Sequence, residues 1–261
     1  MSKQRYYTTQ LQAGLGLLEE TRQLLEVYEP GMNATQLYEA ALASGRFPLV
    51  TARRLRNIAA ECFSPRYLRD PCVAARLKFL AHRFTTTELN QLLFIYTARA
   101  NLVLADFVRE VYWARYSAGR NDLQLEDART FVANSVREGK TEKPWSETTI
   151  KRISSYLIGC CADYGLLATT GRNRRSITTF RILPKVAAYL AYELKFSGLG
   201  DNQIVSSSDW HLFGLERADV LDQLKRLSLQ GLLIFQAASD VVHVGWTYKS
   251  MEELLDVIAQ S

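Results

Sequence analysis

The run Gly171-Arg172-Asn173-Arg174-Arg175 places three arginines in one short turn. A guanidinium is permanently charged and presents a planar fork of donors that matches phosphate oxygens. The chemistry open to this turn is therefore capture of a polyanion. No acidic residue occurs from Tyr164 to Tyr192, and Arg181 and Lys185 lie in the same stretch. Arginines at the tip of a two-stranded wing reach phosphates or an adjacent minor groove. The plainer reading is a solvated loop whose charges keep an edge strand soluble.

Two further clusters fit the same chemistry. Ahead of the turn, Ile150, Ile153, Leu157, Cys160 or Cys161, and Tyr164 recur at three- and four-residue steps and make one buried helical stripe. Thr148, Thr149, Lys151, Arg152 and Ser155 fall off that stripe, near the helix start. A recognition helix needs this layout, with one face packed and its first turns free to enter a major groove. The second cluster is Arg53-Arg54-Leu55-Arg56-Asn57, in which Arg53, Arg56 and Asn57 share one face while Leu55, Ile58, Ala59 and Cys62 form the buried one. Arg and Asn are well suited to guanine and adenine edges. An exposed helix face, or pairing with Glu19 and Glu20, explains this cluster equally well.

Signals for catalysis are thin. Gly14-Leu15-Gly16 begins a dinucleotide pattern, but Glu19 replaces the third glycine and no strand precedes it. His82, His211 and His243 are dispersed, without paired cysteines or carboxylates at metal-ligand spacing. The expectation is a protein without catalytic residues, metal, cofactor or small-molecule substrate.

The elements that must position these clusters are mostly helices. Residues 1–120 read as an all-helical domain: an amphipathic helix over 11–28, a second capped by Asn33 or Thr35, a third over 49–63, one from Pro71, and a long one from Thr85 to Tyr116. Gly119-Arg120-Asn121-Asp122 marks a boundary. Residues 121–197 follow as helix 125–138, helix 147–164 capped by Ser146, a hairpin of 166–170 and 177–183, and a helix from Pro184. Residues 198–261 repeat part of this pattern: Gly231-Leu232-Leu233 echoes Gly165-Leu166-Leu167, and a hairpin of 232–236 and 241–246 flanks Ser239-Asp240. The fold class expected is mainly α with short β-hairpins, a helical N-terminal domain followed by winged helix-turn-helix-like modules.

The net charge of +5 is unevenly distributed. The first two segments are net +6 and +4, whereas the third is net −5. Basic and acidic blocks imply different partners for different faces. The third segment, with an acidic hairpin turn, is a poor reader of nucleic acid and better suited to protein contact. The most apolar run, Leu92 to Ala114, contains Arg99, Asp106, Arg109 and Glu110, which are costly inside a bilayer. It reads as a core helix, so no membrane is expected. Met1–Tyr7 lacks an apolar signal core, and the cysteines Cys62, Cys72, Cys160 and Cys161 show no pairing pattern. Together these predict reduced thiols and a cytoplasmic protein.

Four segments resemble the BrxA family, a component of bacteriophage exclusion (BREX) defence systems in bacteria. They are Leu11-Gln12-Ala13-Gly14-Leu15 with Leu18-Glu19-Glu20-Thr21-Arg22, Thr51-Ala52-Arg53-Arg54, Trp210-His211-Leu212-Phe213-Gly214-Leu215, and Trp246-Thr247-Tyr248-Lys249-Ser250-Met251-Glu252-Glu253. The resemblance spans nearly the whole chain and rests on a distributed pattern. It implies a small non-enzymatic protein of antiviral defence and phage resistance, acting beside a methyltransferase, an ATPase and other BREX proteins. It also implies DNA binding through winged helix-turn-helix modules. The family is further likened to a small RNA-binding antitermination factor, so RNA stays an alternative, as does a scaffold within the defence complex. The leading expectation is double-stranded DNA bound mainly through its phosphates: Thr148, Thr149, Lys151 and Arg152 at the major groove, Arg172, Asn173, Arg174, Arg175 and Arg181 on the backbone, and Arg53, Arg54, Arg56 and Asn57 extending the footprint.

Overall fold

Side-chain caps and left-handed glycines set most helix ends. Asn33 accepts from the N–H groups of Thr35 and Gln36, and the Gln36 side chain accepts from the Asn33 N–H, closing a capping box. Ser146 accepts from the Thr149 N–H. Gly165 and Gly231 leave their helices at φ 82° and 75°. In the computed structural model, which describes residues 6–14, 16–169, 175–238 and 241–260, these caps delimit a mainly helical chain with two short antiparallel hairpins. The wider expectation of helices with short hairpins is thereby met.

In order, the helices are α1 (Leu18–Val27), α2 (Ala34–Ala43), α3 (Ala52–Asn57), α4 (Ser64–Tyr67), α5 (Pro71–Ala81), α6 (Thr86–Ala100), α7 (Leu102–Phe107), α8 (Trp113–Ser117), α9 (Leu125–Arg137) and α10 (Glu147–Asp163). Strands β1 (Leu167–Thr169) and β2 (Arg175–Ile177) follow, then α11 (Pro184–Phe196), α12 (Asp201–Val205) and α13 (Arg217–Leu229). Strands β3 (Leu233–Ala238) and β4 (Val241–Trp246) and helix α14 (Met251–Ile258) complete the chain. The chain groups into two units, Met1–Ala81 with Leu93–Phe180, and His82–Leu92 with Arg181–Ser261.

In the first unit the helix expected over 11–28 is broken. A 3-10 turn spans Thr9–Ala13, and Leu17 takes φ 49° before α1 begins. Tertiary contacts override the amphipathic pattern here. Buried Arg66 donates to the carbonyls of Gly14 (3.1 Å) and Gly16 (3.3 Å), and Asp163 accepts from the Gly16 N–H (2.9 Å). The helix expected to end at Ser64 instead runs from α3 through a π segment, Ile58–Phe63, into α4. A π turn widens the helix directly ahead of Pro65, which cannot donate to the ladder.

The helix expected to reach Tyr116 unbroken bends by 113° between Ala100 and Leu102. Asn101 is buried and non-helical, and its side-chain amide donates to the Thr97 carbonyl. No single helix among the described residues is long and apolar enough to cross a membrane, although the bent pair α6 and α7–α8 passes by length and composition. A chain of buried polar contacts runs from Tyr67 to Thr97 (3.3 Å), to the Tyr164 hydroxyl (2.7 Å) and on to the Gly16 carbonyl (3.3 Å). Phe94 stacks against both Tyr164 and Phe180 beside it.

The second unit centres on Tyr192. Its hydroxyl donates to the Leu232 carbonyl (2.5 Å) and accepts from the N–H groups of Thr247 and Tyr248. Helices α11, α12 and α13 pack on one another, and α13 leads directly into the β3–β4 hairpin. Trp210 donates its ring N–H to the Ile204 carbonyl (2.8 Å), and Trp246 donates to Asp201 (3.3 Å). Leu233↔Trp246 to Ala238↔Val241 is the register. The turn residues Ser239 and Asp240 lie outside the described residues.

Candidate nucleic-acid interface

Helix α10 carries the layout its sequence predicts. Ile150, Ile153, Leu157, Cys160, Cys161 and Tyr164 are buried. Thr148, Lys151, Arg152 and Ser155 are exposed, and Thr149 is half-buried. Among the described residues, no carboxylate pairs with Lys151 or Arg152. Glu147 in the first turn pairs instead with Arg129 of α9. Thr149 is engaged in the cap, its hydroxyl 3.0 Å from that of Ser146. α10 packs on α9 and β1, which fixes its buried side.

The loop from Glu138 to Ser146 that joins α9 to α10 is also tied down. Tyr7 donates its N–H to the Lys140 carbonyl (2.8 Å) and its hydroxyl to Asp106 (2.7 Å). Burial, and then that carboxylate, push the Tyr7 phenol far above its usual range. It acts as a fixed donor.

The hairpin that follows α10 is shorter than expected. β2 covers Arg175–Ile177 and pairs Thr169 with Arg175 and Leu167 with Ile177. Beyond Ile177 one further ladder bond runs from the Thr178 N–H to the Leu166 carbonyl (3.0 Å), and the Tyr112 hydroxyl is shared between the Thr178 (2.9 Å) and Leu166 (3.0 Å) carbonyls. The Thr178 hydroxyl donates to the Gly165 carbonyl (2.6 Å) as well. Arg175 therefore sits in a strand, half-buried, with its guanidinium donating across to the Thr169 hydroxyl. Arg172, Asn173 and Arg174 lie outside the described residues.

Sequence reasoning missed a third strand segment. Ile177 donates to the Asn121 carbonyl (2.9 Å), Leu123 donates to the Arg175 carbonyl (3.4 Å), and Asp122 bridges Ser176 in antiparallel fashion. The stretch around Asn121 and Asp122, read as a boundary, belongs to the same sheet as β2. The lone apolar Leu123 behind the polar run was its signal. Arg115 of α8 pins the segment through ion pairs to Asp122 (3.8 Å) and Asp127. An open groove of about 1080 Å³ lies between this strand segment, the α10 side chains Ser155 and Ile158, and Thr169, Arg175 and Ser176 of the hairpin.

The second cluster, on α3, is fully displayed. Arg53, Arg54, Arg56 and Asn57 are exposed while Leu55, Ile58 and Cys62 are buried. Thr51 caps this helix by accepting from the Arg54 N–H, and Arg56 lies 5.0 Å over the Tyr38 ring of α2. α3 packs on α2 and on the π segment that follows it. Arg181 belongs to the second unit; its side chain is exposed and its carbonyl accepts from Gln91 (2.7 Å).

A model of the BrxA family matches residues 5–193. The chain belongs to the BrxA family. The match takes in both basic clusters and the hairpin, but stops short of the segments at Trp210 and Trp246 that also carried the resemblance. No curated protein sequence matches this BrxA-family chain. Among solved structures it is similar to an uncharacterized protein from Magnetospirillum magneticum, at a TM-score of 0.55 and 16% identity, over 73% of this chain and 94% of that one. At that identity the likeness shows a shared fold.

Proposed function

We propose that the chain is a non-enzymatic, cytoplasmic component of a bacterial BREX anti-phage system that binds double-stranded DNA mainly through its phosphates. Membership of the BrxA family suggests the defence role. The observation that carries the DNA reading is the free polar face of α10, with Lys151 and Arg152 exposed beside Thr148 and Ser155 over a fully packed apolar side. The order of elements supports it. Strand segment 121–123, α9, α10, β1 and β2 follow one another as in a winged helix, and the first strand pairs with the last. On this reading α10 enters the major groove, the turn bearing Arg172, Asn173 and Arg174 grips phosphates, and Arg53, Arg54, Arg56 and Asn57 lengthen the contact. Arg175 positions the wing through Thr169, and Arg181 contributes general charge.

If about five phosphates are neutralised, log affinity falls against log salt with a slope near −4.5. Replacing Lys151 and Arg152 by Ala removes two contacts and flattens that slope by about 1.8. Fluorescence anisotropy on a duplex at a series of salt concentrations reads both effects. An unchanged slope and affinity would sink the assignment of α10. Alanine at Arg172, Arg174 and Arg175 tests the wing in the same way. Competition by A-form RNA separates the RNA alternative, because its deep, narrow major groove does not admit a helix.

One observation favours a scaffold role alongside. The second unit exposes Leu229 and Ile234 in an acidic segment, a composition better suited to protein than to phosphate. Nuclease-resistant co-purification with other BREX proteins that survives the α10 substitutions would support a scaffold in place of DNA binding.

A further inference from the structure

The groove beside α10 has a chemistry of its own. Three chain segments form its sheet wall. Leu123 donates to the Arg175 carbonyl (3.4 Å), Ile177 donates to the Asn121 carbonyl (2.9 Å), and Thr169 pairs with Arg175 in the β1–β2 ladder. Side chains alternate along a strand and match across neighbouring strands, so Asn121, Leu123, Thr169 and Arg175 fall on one face. Ser155 and Ile158 of α10 and Leu125 at the start of α9 line the same groove.

Its charge is unbalanced. Arg175 is half-buried and donates to the Thr169 hydroxyl, which engages one part of a guanidinium that has five N–H donors. No carboxylate pairs with Arg175 among the described residues. The one acid that lines the groove among the described residues, Asp122, is held by Arg115 (3.8 Å) and by the Gln124 amide (2.8 Å). The exposed Asn121 side chain has no partner among the described residues. The volume of about 1080 Å³ exceeds what a bare phosphate needs and is that of a site for an organic ligand.

One cation, one amide that both donates and accepts, and the apolar Ile158 and Leu125, at 9% and 45% exposure, fit a single anionic group joined to a flat, hydrogen-bonding ring. A triphosphate calls for several positive charges around it. Ser155 also lies seven residues after Thr148 on the exposed stripe of α10, so the groove shares a residue with the face read above as binding DNA.

We propose that this groove is a nucleotide site, which takes the phosphate of a nucleoside phosphate ester on Arg175 and the base edge on Asn121, with the ring against Leu125 and Ile158. The proposal rests on the reading of α10 as a nucleic-acid face. The ester has two sources, a free mononucleotide or one unit of the strand bound along α10.

The test titrates the isotope-labelled full chain with the four ribonucleoside 5′-monophosphates, follows backbone amide shifts by NMR, and reads duplex affinity by anisotropy. Saturable shifts centred on 121–125, 155–158, 169 and 175–176 are expected. Arg175→Gln, which keeps a donor for Thr169, weakens mononucleotide binding by about 10- to 100-fold, the effect of losing a hydrogen bond to a charged group. Asn121→Ala, which retains the carbonyl that pairs with Ile177, changes the ranking of the four bases. If Asn121→Ala also weakens duplex binding, the source is the strand; if it weakens mononucleotide binding alone, the source is the free nucleotide. Absence of groove shifts with every mononucleotide, together with duplex affinity unmoved by Asn121→Ala, overturns the site and leaves the α10 reading standing. Mononucleotide binding that Arg175→Gln leaves unchanged overturns it too. Nucleotide binding without duplex binding overturns the α10 reading alone, and absence of both overturns both. Groove shifts with tetraglutamate but with no mononucleotide overturn the nucleotide in favour of an acidic peptide.

Discussion

At the scale of single residues, burial decides which groups can react. Cys62, Cys160 and Cys161 are buried and Cys72 is exposed. Burial pushes the Cys160 thiol up to about 12, and lifts Cys62 and Cys161 in the same direction. A thiol reagent at neutral pH is therefore expected to label Cys72 alone in the native chain, and all four thiols after unfolding. Fast labelling of a second thiol would mean that the α10 core opens. The raised Cys160 value also fixes a pH dependence. Its folded pKa lies above the unfolded value of about 8.5, so its stabilising effect is complete below that pH and is lost as pH rises toward 12. Cys160→Ala should show a shallower loss of stability than the wild type in denaturant titrations between about pH 8.5 and 10. Arg66 is the other buried group with a clear consequence. It holds the Gly14 and Gly16 carbonyls, and Arg66→Met would leave both without that donor. The Gly16 carbonyl keeps the Tyr164 hydroxyl, so one buried group is left unsatisfied and a loss of about 1–3 kcal/mol is expected, read as a lower urea midpoint.

At the scale of elements, local chemistry was legible and tertiary override was not. The caps at Asn33, Ser146, Gly165 and Gly231 could be read from residue type, because each works within one turn of its own helix. The same applies to the buried stripe of α10. The breaks at Gly14–Leu17 and Asn101 could not, since they depend on Arg66, Asp163 and the packing around Thr97, which are distant in sequence or set by the core. The end of β2 was hidden for a similar reason: the Thr178 carbonyl is taken by Tyr112, which is distant in sequence. The echo between Gly165-Leu166-Leu167 and Gly231-Leu232-Leu233 proved to be a shared device. In each, a left-handed glycine turns a helix into a strand, and the following leucine N–H bonds back to the helix, at Cys161 and Leu227. A Cβ at either glycine would meet nothing within 4 Å, so only backbone strain opposes alanine there. Gly165→Ala and Gly231→Ala should each cost about 1 kcal/mol, and by similar amounts, in thermal or urea unfolding. A much larger cost at one of them would show that the two devices are not equivalent. Ser146→Ala should cost about 1 kcal/mol through the lost cap.

At the scale of the whole molecule, charge blocks and compact units divide the chain differently. The charge pattern separates residues 198–261 as acidic, whereas the second unit begins at Arg181 and recruits His82–Leu92 from the N-terminal half. Composition could not reveal that recruitment, because α6 reads as one continuous core helix and nothing in its residues marks where one unit gives way to the other. Gln91 explains what the recruited segment contributes. It is 3% exposed, and its side chain donates to the Arg181 carbonyl (2.7 Å) and accepts from the Leu183 N–H (2.9 Å), fixing the entry to α11. Lys185 also lies 5.5 Å over the Phe84 ring. A fragment starting at Arg181 retains α11 to α14 and both strands of the second hairpin but lacks these partners. Losing both Gln91 bonds at a buried site costs about 2–4 kcal/mol, a large share of the stability of a domain this small. The excised fragment is expected to melt well below the full chain. Fusing residues 82–92 to it through a flexible linker should recover much of the difference, and Gln91→Ala in that fusion should remove the gain. If the fragment alone melts as high as the full chain, the recruited segment is dispensable and the unit is complete from Arg181 onward. Differential scanning calorimetry on the three forms distinguishes these outcomes, and it does so whether or not the chain binds DNA.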